Sequence, residues 1–271
     1  MITTDNSFSA NKQKFNHALS VFKASKDVEK GHSIGVLGEK SLHAVLKWYY
    51  EPDGSRHEIK VGEHIADIVG ENGIIEIQTR GLSHLKPKLT ALLDLCRVTV
   101  VHPIIVSKRI ISVSDSTGEV ISIRRSPRRG TIYSEMRELY ALRELLAHKN
   151  LTLKLPMLTA DEYRTFGVKT NRRKKQRTKK GEYISDIIPT DIIDEITLSQ
   201  SPDYAILIPD GLPETFGVIE FADAAGTDAP SARMAINLLV KTEHAVSDGK
   251  DGRRRRFRLT HTFSGQSGNS Q

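Results

Sequence analysis

Three polar side chains on two short apolar segments could carry out chemistry together. Asp67 lies in the segment HIADIV, and Glu76 and Gln78 lie in the segment GIIEIQT. Side chains alternate between the two faces of a strand, so we expect Glu76 and Gln78 on one face and Ile75 and Ile77 on the other. A turn at GENG between the two segments would bring Asp67 beside Glu76 across a hairpin.

Two neighbouring carboxylates repel each other and lose hydration unless a cation lies between them. Oxygen ligands suit a hard divalent ion, so the pattern predicts Mg²⁺ (or Mn²⁺) at Asp67 and Glu76. Glu39, near the start of a predicted helix, could add a third carboxylate. Such an ion lowers the pKa of a bound water and stabilises charge on a phosphodiester. The alternative is that Asp67 and Glu76 are solvated hairpin residues.

The elements predicted around these residues form an α/β layered domain. The segment EKSLHAVLKWYY has apolar residues at helical spacing, and the strand-like segments HEIKV, HIADIV and GIIEIQT follow it. LSHLKPKLTALLDL is predicted as a helix despite Pro87, because its leucines hold one face. RVTVVHPIIV is apolar enough for a buried central strand, and RIISVS and EVISI flank a turn as an edge hairpin.

Asp67 and the Glu76-Ile77-Gln78 triplet, within this order of elements, resemble the PD-(D/E)xK nuclease superfamily of restriction-endonuclease-like enzymes. The resemblance covers residues 38–106 and implies metal binding by Asp67 and Glu76, with assistance from Glu39. Gln78 stands where the family has lysine, as in its E-x-Q variants, and would position the attacking water. The lysine's role could also pass to Lys60, Lys86 or Lys88.

Residues 131–200 are predicted to be a mainly helical and basic connector. SEMRELYALRELLAH has the spacing of an amphipathic helix, LTLKL is a strand candidate, and Thr159 with Glu162 forms a capping box for a short helix at ADEYRTF. Seven basic residues then fall between Arg172 and Lys180. Because like charges repel, this run is expected to be a loop that contacts a polyanion, with Arg172, Arg173, Lys174 and Lys175 as candidate DNA contacts.

The segment from Leu212 to Leu259 resembles a winged helix-turn-helix. A first helix is predicted through Val218, Phe221 and Ala222, and a second at APSARMAINLLVKT. They are joined at Gly226, and Ile236, Leu239 and Val240 are predicted to face inward. A strand, a glycine-rich tip and a second strand follow as the wing. The resemblance implies DNA binding by the second helix and the wing, through Ser231, Arg233, Asn237, Lys250, Arg253, Arg254, Arg255 and Arg256. The alternative is a protein-interaction module.

The charge distribution agrees with a polyanionic partner. Lys and Arg number 40 against 33 Asp and Glu, a formal net charge of +7 on 271 residues. Without the seven basic residues of 172–180 and the four of 253–256, the charge falls to −4, so the excess is confined to two patches. One cysteine excludes an internal disulfide framework, and no segment has the apolar length of a membrane span or the core of a signal peptide.

The sequence therefore predicts a polar N-terminal segment (1–30), a restriction-endonuclease-like mixed sheet flanked by helices (31–130), the connector (131–200), a winged helix-turn-helix (201–260) and a disordered tail (261–271). The predicted function is that of a cytoplasmic, metal-dependent DNA endonuclease. The alternative is a non-catalytic DNA-binding regulator or accessory protein on a nuclease-like scaffold. Specificity for DNA sequence or structure, and a homo-oligomeric state, are left open.

Overall fold

The computed structural model describes residues 3–28, 41–114, 117–146, 148–166 and 182–260. The chain divides into two compact units. Unit 1 comprises Met1–Thr131 and Asn150–Thr197, and unit 2 comprises Ile132–Lys149 and Leu198–Gln271. Within the described residues, no helix is long and apolar enough to cross a membrane.

Unit 1 is built on a mixed sheet of eight strands. A mixed sheet was predicted, but its last strand, Glu182–Leu198, was not. The strands are β1 (His57–Val61), β2 (His64–Gly70), β3 (Gly73–Ile77), β4 (Val98–Val101), β5 (Ile104–Val113), β6 (Val120–Arg125), β7 (Leu151–Phe166) and β8 (Glu182–Leu198). Strands β1, β2 and β3 pair antiparallel, and β3 pairs parallel with β4.

The predicted central strand RVTVVHPIIV is two strands, β4 and β5, interrupted at His102 and Pro103. Both pair parallel with β7, β4 along residues 151–154 and β5 along residues 157–165. The difference in residue number between paired residues is the same at Val98↔Leu151 and at Ile104↔Met157. Strands β4 and β5 therefore follow each other along one edge of β7. Strand β8 pairs with β7 as well, and β6 pairs antiparallel with β5, which confirms the predicted hairpin.

Helices α1 (Thr3–Val28) and α2 (Ser41–Tyr50) pack with the sheet into one apolar core. Phe15, Ala18 and Phe22 of α1 are buried, and the ring of Phe15 meets that of Tyr49 edge-to-face at 5.7 Å between centroids. The N-terminal segment predicted to be polar thus contributes a helix to the core. Three buried side chains at helical spacing are enough to dock it, because each removes apolar surface from water.

Helix α3 (Leu82–Leu93) connects β3 to β4 and contains Pro87, as predicted. Proline lacks the N–H that would bond the carbonyl four residues earlier. Five buried leucines hold the helix nonetheless: Leu82, Leu85, Leu89, Leu92 and Leu93. The preceding residue, Gly81, has φ of +71°, a left-handed conformation that favours glycine.

The prediction of a helical connector over 131–200 is wrong for most of its length. Helix α4 covers only Met136–Ala141, after a 3-10 turn at Ile132–Glu135. The short helix predicted at ADEYRTF does not form, because β7 continues to Phe166 and pairs with β5 from Ser107↔Thr159 to Val113↔Thr165. The local capping pattern of Thr159 and Glu162 is outweighed by this pairing with residues more than fifty positions earlier.

Unit 2 contains α4, a 3-10 helix at Ser201–Leu207, α5 (Val218–Ala225), α6 (Ala229–Lys241), and the antiparallel hairpin of β9 (Ala245–Asp251) and β10 (Arg254–Leu259). An isolated bridge joins Phe216 to Phe257 in β10. Helix α5 ends at Gly226, whose φ of +58° allows the sharp turn into α6. These bounds confirm the predicted helix pair and hairpin. Val240, predicted to face inward, is 39% exposed, and Leu238 is buried instead.

Candidate functional site

Asp67 and Glu76 stand opposite each other on neighbouring strands. The register of β2 and β3 runs from Gly70↔Gly73 to Ile68↔Ile75, and its continuation sets Asp67 against Glu76 on the same face. The backbone ladder stops there, and Asp67 Oδ2 accepts the Ile77 N–H at 2.7 Å in its place. The sequence prediction that the hairpin brings these two carboxylates together is therefore confirmed.

Two basic side chains from flanking helices contact the pair. Lys88 Nζ of α3 lies 2.6 Å from Glu76 Oε1 and donates to the Ile65 carbonyl at 2.5 Å. His43 Nε2 of α2 lies 3.4 Å from Asp67 Oδ2. The Glu76 side chain is only 4% exposed, whereas those of Asp67, His43 and Lys88 are about one fifth exposed. The site thus contains an inner buried carboxylate and an outer one within reach of solvent.

The two carboxylates differ in their affinity for a proton. Burial raises the pKa of Glu76 above its ordinary value, the Asp67 charge adds to this, and the Lys88 ammonium opposes it. Burial also acts on Asp67, but the hydrogen bonds from His43 and the Ile77 N–H outweigh it and hold the pKa of Asp67 below its ordinary value. Environments that separate two carboxylates in this way are typical of sites with distinct roles for each.

Glu76 Oε1 already has a cation beside it. This buried oxygen forms an ion pair with the Lys88 ammonium, whose Nζ lies 2.6 Å away, although the contact falls outside hydrogen-bond angles. A divalent ion at this oxygen would therefore have to displace the Lys88 ammonium. Within the described residues, no group of three or more His, Cys, Asp or Glu side chains is arranged to hold a metal. The third predicted ligand, Glu39, lies outside the described residues.

Gln78 is not directed at the two carboxylates. Its side-chain Nε2 donates to the Arg80 carbonyl, and its backbone carbonyl contacts Nδ1 of the buried His102 at 2.6 Å. Of the three lysines considered as substitutes for the family's lysine, Lys88 is the one the structure places against Glu76. Sequence reasoning missed His43, although it lies four residues after Glu39, a spacing that would share a helix face.

A basic groove of about 570 Å³ lies in unit 2 between the start of α5, the exposed face of α6 and β10. Arg233 and Asn237, one helical turn apart on α6, are exposed and line it. Arg253, Arg254 and Arg255 are also exposed and line its other side. Helix, groove and hairpin therefore present cationic and amide groups to one space.

Not every predicted DNA contact has a free side chain. Arg256 donates to Glu220 Oε1 at 2.6 Å and to the Thr215 carbonyl at 2.7 Å, so it ties β10 to the start of α5. Asn237 Nδ2 donates to the Tyr140 hydroxyl at 3.4 Å. The backbone N–H of Ser231 donates to Asp228 Oδ1 at the N-cap of α6. Lys250 is exposed on β9, paired in register with Arg255. Arg172, Arg173, Lys174 and Lys175 lie outside the described residues, as does the tail 261–271.

The chain belongs to the DUF8091 family. The family model, described as "Domain of unknown function (DUF8091)", matches residues 40–199, from just before α2 to just after β8. The chain is also similar to a protein of Treponema pallidum (strain Nichols) described as uncharacterized, with 31% identity over 228 residues, or 83% of this chain and 87% of the relative. No solved structure was found to match the chain.

Proposed function

We propose that the chain is a metal-dependent DNA endonuclease of restriction-endonuclease-like fold, with Asp67 and Glu76 as its metal ligands. The observation that carries the proposal is the pair of opposed carboxylates on β2 and β3, of which Glu76 is 4% exposed and Asp67 is 24% exposed. The motif and the order of elements that resemble the PD-(D/E)xK superfamily support it. Mg²⁺ or Mn²⁺ is the expected ion because all the ligands are carboxylate oxygens.

Each described residue of the site has a role that follows from its contacts. Asp67 and Glu76 hold the ion, which when bound supplies a water of lowered pKa and positive charge beside the phosphodiester. His43 fixes the orientation of Asp67 through its contact with Oδ2. Lys88 places an ammonium group beside Glu76, where it stabilises negative charge that develops on the phosphate. Gln78 would position water only after its amide leaves the Arg80 carbonyl, so Lys88 is the better-placed polar group.

Unit 2 supplies duplex binding in this proposal, as a winged helix. Helix α6 presents Arg233 and Asn237, side chain types that hydrogen-bond base edges in a major groove. The arginines of the hairpin suit phosphate contacts, which provide affinity without sequence preference. The groove that both line is what supports a nucleic-acid partner over a protein partner.

The test is a divalent-dependent cleavage assay on linear, supercoiled, single-stranded and branched DNA. We expect Asp67→Asn and Glu76→Gln to abolish cleavage while metal-free DNA affinity stays within about twofold, because the carboxylates hold the ion and contact no phosphate. Glu71→Gln is the matched control, since Glu71 lies in the turn between the same strands and is 80% exposed. Absence of metal-dependent cleavage by the wild type on every DNA form would refute the proposal.

A second candidate is a non-catalytic DNA-binding protein that keeps the fold as a scaffold. The Lys88 contact favours it, because an ammonium 2.6 Å from Glu76 already supplies the counter-charge that a metal would provide. Calorimetric titration of the full chain with Mn²⁺ separates the two. Binding that Glu76→Gln abolishes supports the enzyme, and absence of binding supports the scaffold.

A further inference from the structure

Four exposed arginines lie at the end of β6 and in the loop that follows it. The segment RRSPRRG runs from Arg124 to Gly130, and Arg124, Arg125, Arg128 and Arg129 are all exposed. We call these four residues the edge arginines. Among the residues that the structure describes, none of the four forms an ion pair. The net charge hides this patch, because the chain without its two basic runs is acidic.

The acidic residues of the neighbouring strands are already paired with other basic side chains. Arg109 of β5 binds Asp161 of β7 through two contacts, Nε to Oδ1 at 2.7 Å and Nη2 to Oδ2 at 2.5 Å. Glu162 of β7 lies between Lys108 and Arg164. These carboxylates are therefore not available to compensate the charge of the edge arginines.

The strand register sets two like charges side by side. The pairing of β5 and β6 is regular from Arg109↔Arg125 to Ser112↔Ser122, so Arg125 stands directly opposite Arg109. Like charges directly opposite one another destabilise a sheet. Asp161 compensates Arg109 but leaves Arg125 without a counter-charge. An anion from outside the chain that binds Arg125 would relieve this repulsion.

The loop after β6 is held against β5 by its backbone. The Ser126 N–H donates to the Lys108 carbonyl at 2.9 Å, and the Gly130 N–H donates to the Ile105 carbonyl at 3.2 Å. A Cβ atom at position 130 would lie 2.3 Å from the Ile105 carbonyl oxygen, so this close approach requires glycine. The anchored backbone fixes the places from which the two arginines of the loop extend.

The edge arginines follow one line along the edge of β5. Arg124 stands opposite Ile110, and the Gly130 N–H reaches the Val106 carbonyl at 3.3 Å, so the line spans four residues of strand, or about 13 Å. One strand of duplex DNA has a phosphate about every 3.4 Å along the helix axis, so this length carries about four phosphates. Guanidinium groups also match phosphate oxygens with paired N–H donors. The line therefore fits a phosphate backbone in length, charge and donor geometry.

We propose that the edge arginines bind the phosphate backbone of duplex DNA. This adds to the proposed function a DNA-binding surface in unit 1, the unit that contains Asp67 and Glu76. It rests on the proposed function only for the identity of the polyanion. Phosphate contacts provide affinity without sequence preference, so this surface holds the duplex against unit 1 whatever its sequence.

The test measures the affinity of the full chain for duplex DNA across a salt series, without divalent metal. One double variant is Arg124→Gln with Arg125→Gln, and the other is Arg128→Gln with Arg129→Gln. Each removes two phosphate contacts and should lower the slope of log affinity against log salt concentration by about 1.8. The variant with all four changes should lower the slope by about 3.6.

The matched control removes two charges elsewhere in the same unit. Lys23→Gln with Arg97→Gln replaces two exposed basic residues of unit 1 and should leave the slope unchanged. Urea unfolding shows that the variants fold. Because Arg125 opposes Arg109, Arg125→Gln should leave the midpoint unchanged or raise it.

Three results would overturn the proposal. One is a full chain that does not bind duplex DNA, and another is a pair of double variants whose slopes match that of the control. The third uses vesicles of phosphatidylcholine and phosphatidylserine, because the exposed Ile121 and Ile123 of β6 would also suit a lipid surface. Vesicle binding that the double variants lose, with no change in their DNA slope, would assign the surface to membranes. Absence of metal-dependent cleavage bears only on the proposed function, because binding is measured without metal.

Discussion

Replacement of Lys88 by methionine tests whether the ion pair between Lys88 and the buried Glu76 stabilises the folded chain. The change keeps the apolar stem and removes the ammonium that lies 2.6 Å from Glu76 Oε1. Glu76 is 4% exposed and Lys88 is 20% exposed, so this is a largely buried pair. Loss of one partner of a buried pair costs about 3–5 kcal/mol, because the other charge is left uncompensated.

Protonation of Glu76 limits that cost and gives the prediction its pH dependence. The pKa of Glu76 is already raised from its ordinary value of 4.5, and removal of Lys88 raises it further. A group whose pKa is raised on folding stabilises the folded state below its unfolded pKa, and that contribution is lost as pH rises through the folded pKa. The variant should therefore lose little stability near pH 4 and most at neutral pH.

Urea unfolding, followed by the fluorescence of the single tryptophan, Trp48, measures the effect. We expect Lys88→Met to lower the free energy of unfolding at pH 7 by about 3 kcal/mol, with Lys86→Met on the same helix as the matched control. If the site binds metal, Mn²⁺ at about 100 times its Kd should restore about 2.7 kcal/mol. An unchanged midpoint at pH 7 would refute the claim that Lys88 compensates Glu76.

Three further predictions concern the rest of the chain. Glu162 is fully buried between Lys108 and Arg164. Burial raises its pKa, but the two basic partners outweigh this and hold the pKa below its ordinary value. Glu162→Gln should therefore lower the free energy of unfolding by about 3 kcal/mol at pH 7 and by less in acid. Neutralising Arg253, Arg254 and Arg255 should flatten the plot of log affinity for duplex DNA against log salt concentration. The slope should fall by about 0.9 for each lost phosphate contact. An unchanged slope would exclude the hairpin from DNA binding. Gln78→Lys should keep or increase cleavage, and an inactive variant would show that the amide is required.

The elements that could be predicted from sequence are those specified by local pattern. Two-residue alternation placed β1, β2 and β3, and helical spacing placed α2, α3, α5 and α6 close to their observed bounds. The hairpin of β5 and β6 followed from the DSTG turn. In each of these, the partner segments lie close together in the sequence, so the pattern and the tertiary structure agree.

The errors fall where distant segments decide the structure. Residues 159–166 carry a helix-start pattern, yet they form part of β7 because residues 107–113 offer a strand to pair with. No local signal distinguishes those outcomes. For a related reason the contact of His43 was missed, and Lys88 could not be singled out from Lys60 and Lys86. His43 and Lys88 each lie on a helix whose packing against the sheet sets which side chains reach Asp67 and Glu76.

The energetics of Glu76 argue that its place in the sheet serves something other than stability. A buried ion pair rarely stabilises a fold more than apolar residues of the same volume would. Here the carboxylate is 4% exposed, and burial raises its pKa above its ordinary value despite the Lys88 ammonium beside it. Leucine at position 76 together with methionine at position 88 would replace the pair by apolar side chains at no such cost. The fold keeps Glu76 buried despite this energetic cost, opposite Asp67, whose pKa is lowered. Such a pair of carboxylates is expected where an ion or a reacting group is bound.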